Sequence, residues 1–215
     1  MRGIISFCLV SFSAVFFAVD PFAAVPMFLA MTERDTPEKR RRMALRASIT
    51  ACAVLMAFAL AGAFIFKALS ITMAAFKIAG GLLLLIMSVD MLRTRPSPAR
   101  ITPGEVDEGT QKDDIAIVPL AIPLLAGPGA IATVVVLMGK VRPGSPWKVI
   151  PILLAILVTA ALSYLVLRGA SRVARVLGRT GLSIISRIAG LLLAAIAVQF
   201  ILDGLGEGIP LFRRH

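Results

Sequence analysis

Six stretches of this chain, at about 4–31, 47–66, 72–92, 115–138, 149–167 and 182–203, run for spanning length with few charges or none. At 1.5 Å per residue each is long enough to cross a hydrocarbon core of roughly 30 Å as a helix. In hydrocarbon every backbone N–H and C=O must find its partner within the protein, which leaves helices and closed barrels as the only spanning structures. A barrel is written in short alternating segments. These runs are apolar on all sides and rich in Leu, Ala and Ile. With 58% hydrophobic and 16% charged residues, 215 residues could not hide this much apolar surface in a water-soluble core. The expected fold is an all-α membrane protein with six transmembrane helices.

The two halves carry the same internal layout. Ala18-Val-Asp20-Pro21-Phe-Ala-Ala-Val-Pro26 lies in the first run, and Leu125-Ala-Gly127-Pro128-Gly129-Ala-Ile131 answers it in the fourth. Downstream, Lys77-Ile-Ala-Gly80-Gly-Leu-Leu-Leu returns as Arg187-Ile-Ala-Gly190-Leu-Leu-Leu. The offsets from Asp20 to Gly127 and from Lys77 to Arg187 are 107 and 110, so the halves are nearly equal. Three spans per half make the second half enter from the opposite face, which predicts two inverted three-helix repeats, 1–92 and 115–215, with broken helices one and four. The segment 93–114 holds Pro96, Pro98, Pro103, Gly104 and Gly109 with five acids, and reads as a linker between them. A signal peptide is the alternative reading of the first run, because Arg2 precedes it and Ala23-Ala24 could mark a cleavage site. Cleavage there would split a motif whose counterpart sits mid-chain.

Charge sets the orientation. With the N-terminus outside, the cytoplasmic side receives 15 of the 23 Lys and Arg residues, including Lys39, Arg40, Arg41, Arg42 and Arg46, and the other side eight. The positive-inside rule therefore places both termini outside, periplasmic for a protein of the cell inner membrane, and the linker in the cytoplasm. The net charge of +11 does not point to nucleic acid, because the cationic runs flank spans and carry no interleaved aromatics. They suit topology and contact with anionic membrane lipid. Cys8 and Cys52 fall within spans and read as packed free thiols.

The chemistry is expected at the two breaks. Proline inside a helix lacks an N–H and clashes with the preceding turn, at a cost of ~3 kcal/mol. At Asp20-Pro21 a new half-helix can start instead, with Asp20 as N-cap and Pro21 at the first helical position. Gly127, Pro128 and Gly129 repeat the design, with Gly127 as a permissive cap and Gly129 keeping the backbone accessible, while Pro119 and Pro123 loosen the segment before. Two such restarts facing each other near the midplane expose unpaired N–H groups suited to a carboxylate, and Asp20 adds a negative charge beside them. A zwitterion satisfies both. Asp20 has two other readings, a proton-coupling group or a plain helix cap, and an intramembrane carboxylate favours function.

Other polar residues are read structurally. Lys77 and Arg187 sit near span starts, where snorkelling to the headgroups accounts for them. Asp90 and Asp203 belong at the interface, Gln199 is expected to hydrogen-bond another helix, and Gly80, Gly81 and Gly190 mark close helix packing. Thr133 and Ser88 are candidates for lining the site by their depth. No metal ligand set is present, and no cofactor is expected: Gly127-Pro-Gly129-Ala-Ile-Ala132 fits G-x-G-x-x-A only formally, with no βαβ setting. His215 is the only histidine, and neither H-E-x-x-H nor G-x-S-x-G occurs, so an enzyme is not expected.

Asp20-Pro21-Phe-Ala-Ala-Val-Pro26-Met-Phe together with Pro119-Leu-Ala-Ile-Pro-Leu-Leu-Ala-Gly127-Pro128-Gly129-Ala-Ile131 resembles the MarC family of integral inner-membrane proteins, across nearly the whole chain. Many members carry Asn at the position of Asp20. A SnatA-like branch of that family is similar to small neutral amino acid transporters that use glycine and alanine and an ion gradient. The resemblance implies a substrate pocket at Asp20, Pro21, Gly127, Pro128 and Gly129. The expectation is a secondary transporter of a small neutral amino acid or similar metabolite, with a small-molecule substrate, a coupling proton or cation, and membrane lipid as partners. Exposed small-residue faces would permit an oligomer. A passive channel and a non-transporting scaffold are the rivals.

Overall fold

The computed structural model describes residues 2–33, 35–68, 70–93, 116–141 and 146–208, which form helices and no strand. Apart from Arg93, the expected linker lies outside the described residues. The helices are α1 (Arg2–Val19), α2 (Pro21–Met31), α3 (Pro37–Ala68), α4 (Met73–Leu92), α5 (Ala116–Leu125, wound as a π-helix), α6 (Pro128–Gly139), α7 (Val149–Arg168) and α8 (Ala170–Gly208). Among the described residues five stretches are long and apolar enough to cross a membrane, namely Ile5–Met31, Pro37–Gly62, Met73–Leu92, Val149–Arg168 and Thr180–Gly208, with Pro128–Gly139 as a shorter apolar helix.

Local chemistry sets several boundaries. Thr72 caps α4, its hydroxyl accepting from the Ala75 N–H at 3.2 Å. The end of α2 is closed by Thr32, whose hydroxyl donates to the Phe28 carbonyl at 2.6 Å, and by Arg40 of α3, whose guanidinium donates to the Thr32 and Glu33 carbonyls at 2.8 Å each. Orphan carbonyls at a helix end need such partners. In α5, the rings of Pro119 and Pro123 would clash with the carbonyls four residues back in an α-helix, and the wider turn, continued by the bond from the Ala126 N–H to the Ala121 carbonyl, relieves that clash.

The packing turns on α4, which lies between α6 and α8 and runs antiparallel to both. Along α8, Gly204 meets Ala74, Gly81 of α4 meets Ala197 and Ile201, and Gly190 meets Ser88 and Met91. Along α6, Gly139 meets Met73, Gly80 meets Ala132, and Gly129 meets Leu84 and Met87. Gly80, Gly81 and Gly190 thus do what their sequence position suggests: they let backbones approach closely enough for dispersion to hold helices together in lipid. Helices α1 and α3 both pack on α7, and α2 packs on α8.

Contacts between helix ends fix which ends lie together. Lys148 at the start of α7 stands over the Phe7 ring near the start of α1, at 5.5 Å, and Lys77, Lys140, Asp203 and Glu207 meet at that same end. At the opposite end Arg41 of α3 reaches Tyr164 of α7. The start of α1 and the end of α8 therefore share a side, and the densest run of cations, Lys39–Arg42, takes the other. Large apolar side chains such as Leu9, Leu60, Phe64, Leu154, Leu165 and Leu191 stand exposed around the outside, the surface a lipid-embedded protein presents.

Candidate functional site

Asp20 separates α1 from α2 and is 2% exposed. Its backbone is left-handed, φ 47° and ψ 71°, a region that Asp and Asn tolerate better than other side-chain-bearing residues. One carboxylate oxygen, Oδ1, accepts from the Ala23 N–H at 3.2 Å, so the residue does cap α2. Pro21 follows at the first helical position and is buried. The Phe16 ring brackets the junction, stacked on Phe12 at 5.5 Å and edge-on to Phe22 at 6.4 Å.

Gly127 precedes α6 with φ −71° and ψ 170°, and no side chain caps the helix. Any residue can adopt those angles, so Gly127 is not used for its conformational freedom. Pro128 is exposed and has no N–H, and the Ile131 N–H is bonded to the Gly127 carbonyl at 3.0 Å. The N–H groups of Gly129 and Ala130 are thereby left as the first-turn donors without an intrahelical acceptor. A Cβ on Gly129 would lie 2.4 Å from the Met87 sulfur and 3.0 Å from a Leu84 methyl, so its missing side chain admits α4. Helix α1 packs on α6 and α2 on α5, so each element of the first junction touches one element of the second.

The secondary candidates separate sharply. Thr133 and Ser88 are buried, but each spends its hydroxyl proton on its own helix, donating to Gly129 at 2.8 Å and to Leu85 at 2.7 Å. Gln199 donates to Asp203 at 2.7 Å within α8, where a bond to another helix was expected. Lys77 corrects the sequence reading outright. It does not snorkel: it is 2% exposed, and its ammonium is ion-paired with Glu207 of α8, 130 residues away. Its repeat counterpart Arg187 is exposed. Asp203 pairs with Lys140 at 2.7 Å, and Lys140 also stands over the Phe200 ring at 5.3 Å, so two ion pairs close one end of α4, α6 and α8.

Sequence reasoning missed a set of interior hydroxyls. Ser11 of α1, Ser48 of α3 and Thr159 of α7 are at most 3% exposed, and their side-chain oxygens have no hydrogen-bond partner among the described residues. Ser48 and Thr159 lie on helices that pack together, α3 on α7. No single signal marked them in the sequence, since each has another hydroxyl nearby: Ser13 beside Ser11, Thr50 beside Ser48 and Ser163 one turn from Thr159. A buried hydroxyl left unbonded costs about 1–3 kcal/mol, which makes such groups candidates for a polar ligand. Among the described residues no three His, Cys, Asp or Glu side chains are grouped to hold a metal ion.

Comparison with known proteins agrees with a membrane-embedded chain. Residues 5–209 match the model of the MarC family integral membrane proteins. The chain is 42% identical over 202 residues to a UPF0056 membrane protein of Methanocaldococcus jannaschii, covering 94% of this chain and 97% of that one. It is 33% identical to the UPF0056 membrane protein YvbG of Bacillus subtilis, over 95% of this chain and 97% of the relative, and 33% identical to YhcE of Escherichia coli K12, over 93% and 92%. No solved structure matches.

Proposed function

The chain belongs to the MarC family of integral membrane proteins, and from that premise we propose that it is a secondary transporter of a small neutral amino acid or similar metabolite in the cell inner membrane. Two inverted repeats, 1–92 and 115–215, would rock against each other around a site between the junctions at Asp20 and Gly127. The exchange of packing partners supports this symmetry: α1 lies on α7 as α5 lies on α3, and α2 lies on α8 as α6 lies on α4.

The observation that carries the substrate class is the difference between the two junctions. The start of α2 already has an anion, because the Asp20 carboxylate caps it. The start of α6 has no side-chain cap. A zwitterion fits that polarity, with its carboxylate on the Gly129 and Ala130 N–H groups and its ammonium toward Asp20. Ala18, Ala126 and Ala130 are small, while Phe16 and Phe22 crowd the Asp20 junction, and both features favour small substrates. In the same reading Asp20 would take up a coupling proton, and the positive-inside rule would put the cation-rich end in the cytoplasm and both termini in the periplasm.

Counterflow of labelled glycine and alanine into proteoliposomes tests this directly. Saturable counterflow that weakens at least tenfold, or loses its pH dependence, in Asp20→Asn is the expected result. Flux linear in concentration would identify a channel, and no flux for any amino acid would remove the transport reading.

A further inference from the structure

We propose that the corner between α7 and α8 binds the phosphodiester headgroup of an anionic phospholipid. Three guanidinium groups from three elements gather there. Arg41 of α3 donates to the Tyr164 hydroxyl at 3.3 Å, Arg168 at the end of α7 stands over the Tyr164 ring at 6.0 Å, and Arg172 lies four residues further on. Arg168 and Arg172 line an open cleft of about 480 Å³ with Leu165, Gly169 and Ser171. Among the described residues none of the three arginines is paired with a carboxylate, in contrast to Lys39, Lys77 and Lys140, each of which has one. Unneutralised, closely spaced guanidiniums around a cleft favour a phosphate, whose planar, bidentate recognition is what arginine does well.

The surface leading into the cleft decides between a lipid and a free phosphate. Leu154, Leu157, Val158, Ala161 and Leu165 are exposed and form one stripe along the outer face of α7, ending where Arg168 begins. From Leu154 to Leu165 there are eleven rises of 1.5 Å, so the stripe is about 16 Å long, one leaflet of a roughly 30 Å hydrocarbon core. Beyond the arginines, residues 170–177 form a short helix ended by the non-helical Gly178, with Val173 and Leu177 packed against the core and Val176 77% exposed beside Arg172 and Arg175. Apolar and cationic side chains on one short helix suit the headgroup boundary. An acyl chain on the stripe and a phosphate in the cleft fit one molecule of lipid, and the reading stands whether or not the protein transports.

The test is lipid-induced thermal stabilisation of the detergent-purified protein, titrated with phosphatidylglycerol, with phosphatidylcholine of the same acyl chains, and with glycerol phosphate. Phosphatidylglycerol should act at lower concentration than phosphatidylcholine, and Arg168→Gln/Arg172→Gln should weaken it at least tenfold while leaving the phosphatidylcholine response unchanged, each charge near the surface being worth roughly fivefold. If the double variant does not purify, Arg172→Gln alone, at an exposed position, should show about a fivefold loss. Equal responses to the two lipids, or a variant that responds as the parent does, would overturn the proposal. Stabilisation by glycerol phosphate equal to that by phosphatidylglycerol would overturn it in favour of a soluble anion.

Discussion

Asp20 answers two demands at one position: a left-handed backbone, and an acceptor for the first turn of α2. Asn meets both and Ala meets neither. Asp20→Asn should therefore stay within about 0.5 kcal/mol of the parent in thermal unfolding, while Asp20→Ala loses about 2 kcal/mol from the missing cap and the left-handed strain together. A parent-like Asp20→Ala would show that the capping bond carries no stability. The cap was legible in the sequence because Asp-Pro is a local signal. The left-handed backbone was not, since φ at a junction is fixed by how the helices on either side pack. Lys77 shows the same limit. Nothing near it in sequence marks it as different from Arg187, because its partner Glu207 comes from the far end of the chain.

Between elements, the glycines decide how closely helices approach, and they are not equivalent. A Cβ on Gly81 would meet the Ala197 carbonyl oxygen at 2.8 Å and the Ile201 nitrogen at 3.2 Å, backbone atoms that cannot swing aside. One on Gly206 would meet nothing within 4 Å. Gly81→Ala should destabilise by about 1–3 kcal/mol by pushing α8 off α4, and Gly206→Ala should be neutral or stabilising by up to about 1 kcal/mol, both read by unfolding in detergent. Equal effects would mean that α4 and α8 are not seated on each other as described. The repeat of Gly80 and Gly190 announced close packing, and the helices themselves were visible as apolar runs. Less visible was α5, where Pro119 and Pro123 signalled a disturbance without specifying that the helix would widen.

For the whole molecule, the start of α1, the α3–α4 turn and the end of α8 lie on one side, and the start of α3 with its cations on the other. In a background lacking Cys8 and Cys52, Ile71→Cys should react with a membrane-impermeant maleimide from outside the cell, and Glu33→Cys only after permeabilisation. The reverse pattern would invert the orientation and place the α7–α8 corner in the outer leaflet. The order of synthesis gives the Lys77–Glu207 pair a further meaning. At ~5–20 residues per second, the ribosome delivers Glu207 on the order of 10 s after Lys77. Through that interval Lys77 is an ammonium whose native partner does not yet exist. The carboxylate that neutralises this charge comes with the end of α8, so one of the last residues made completes the ion pair.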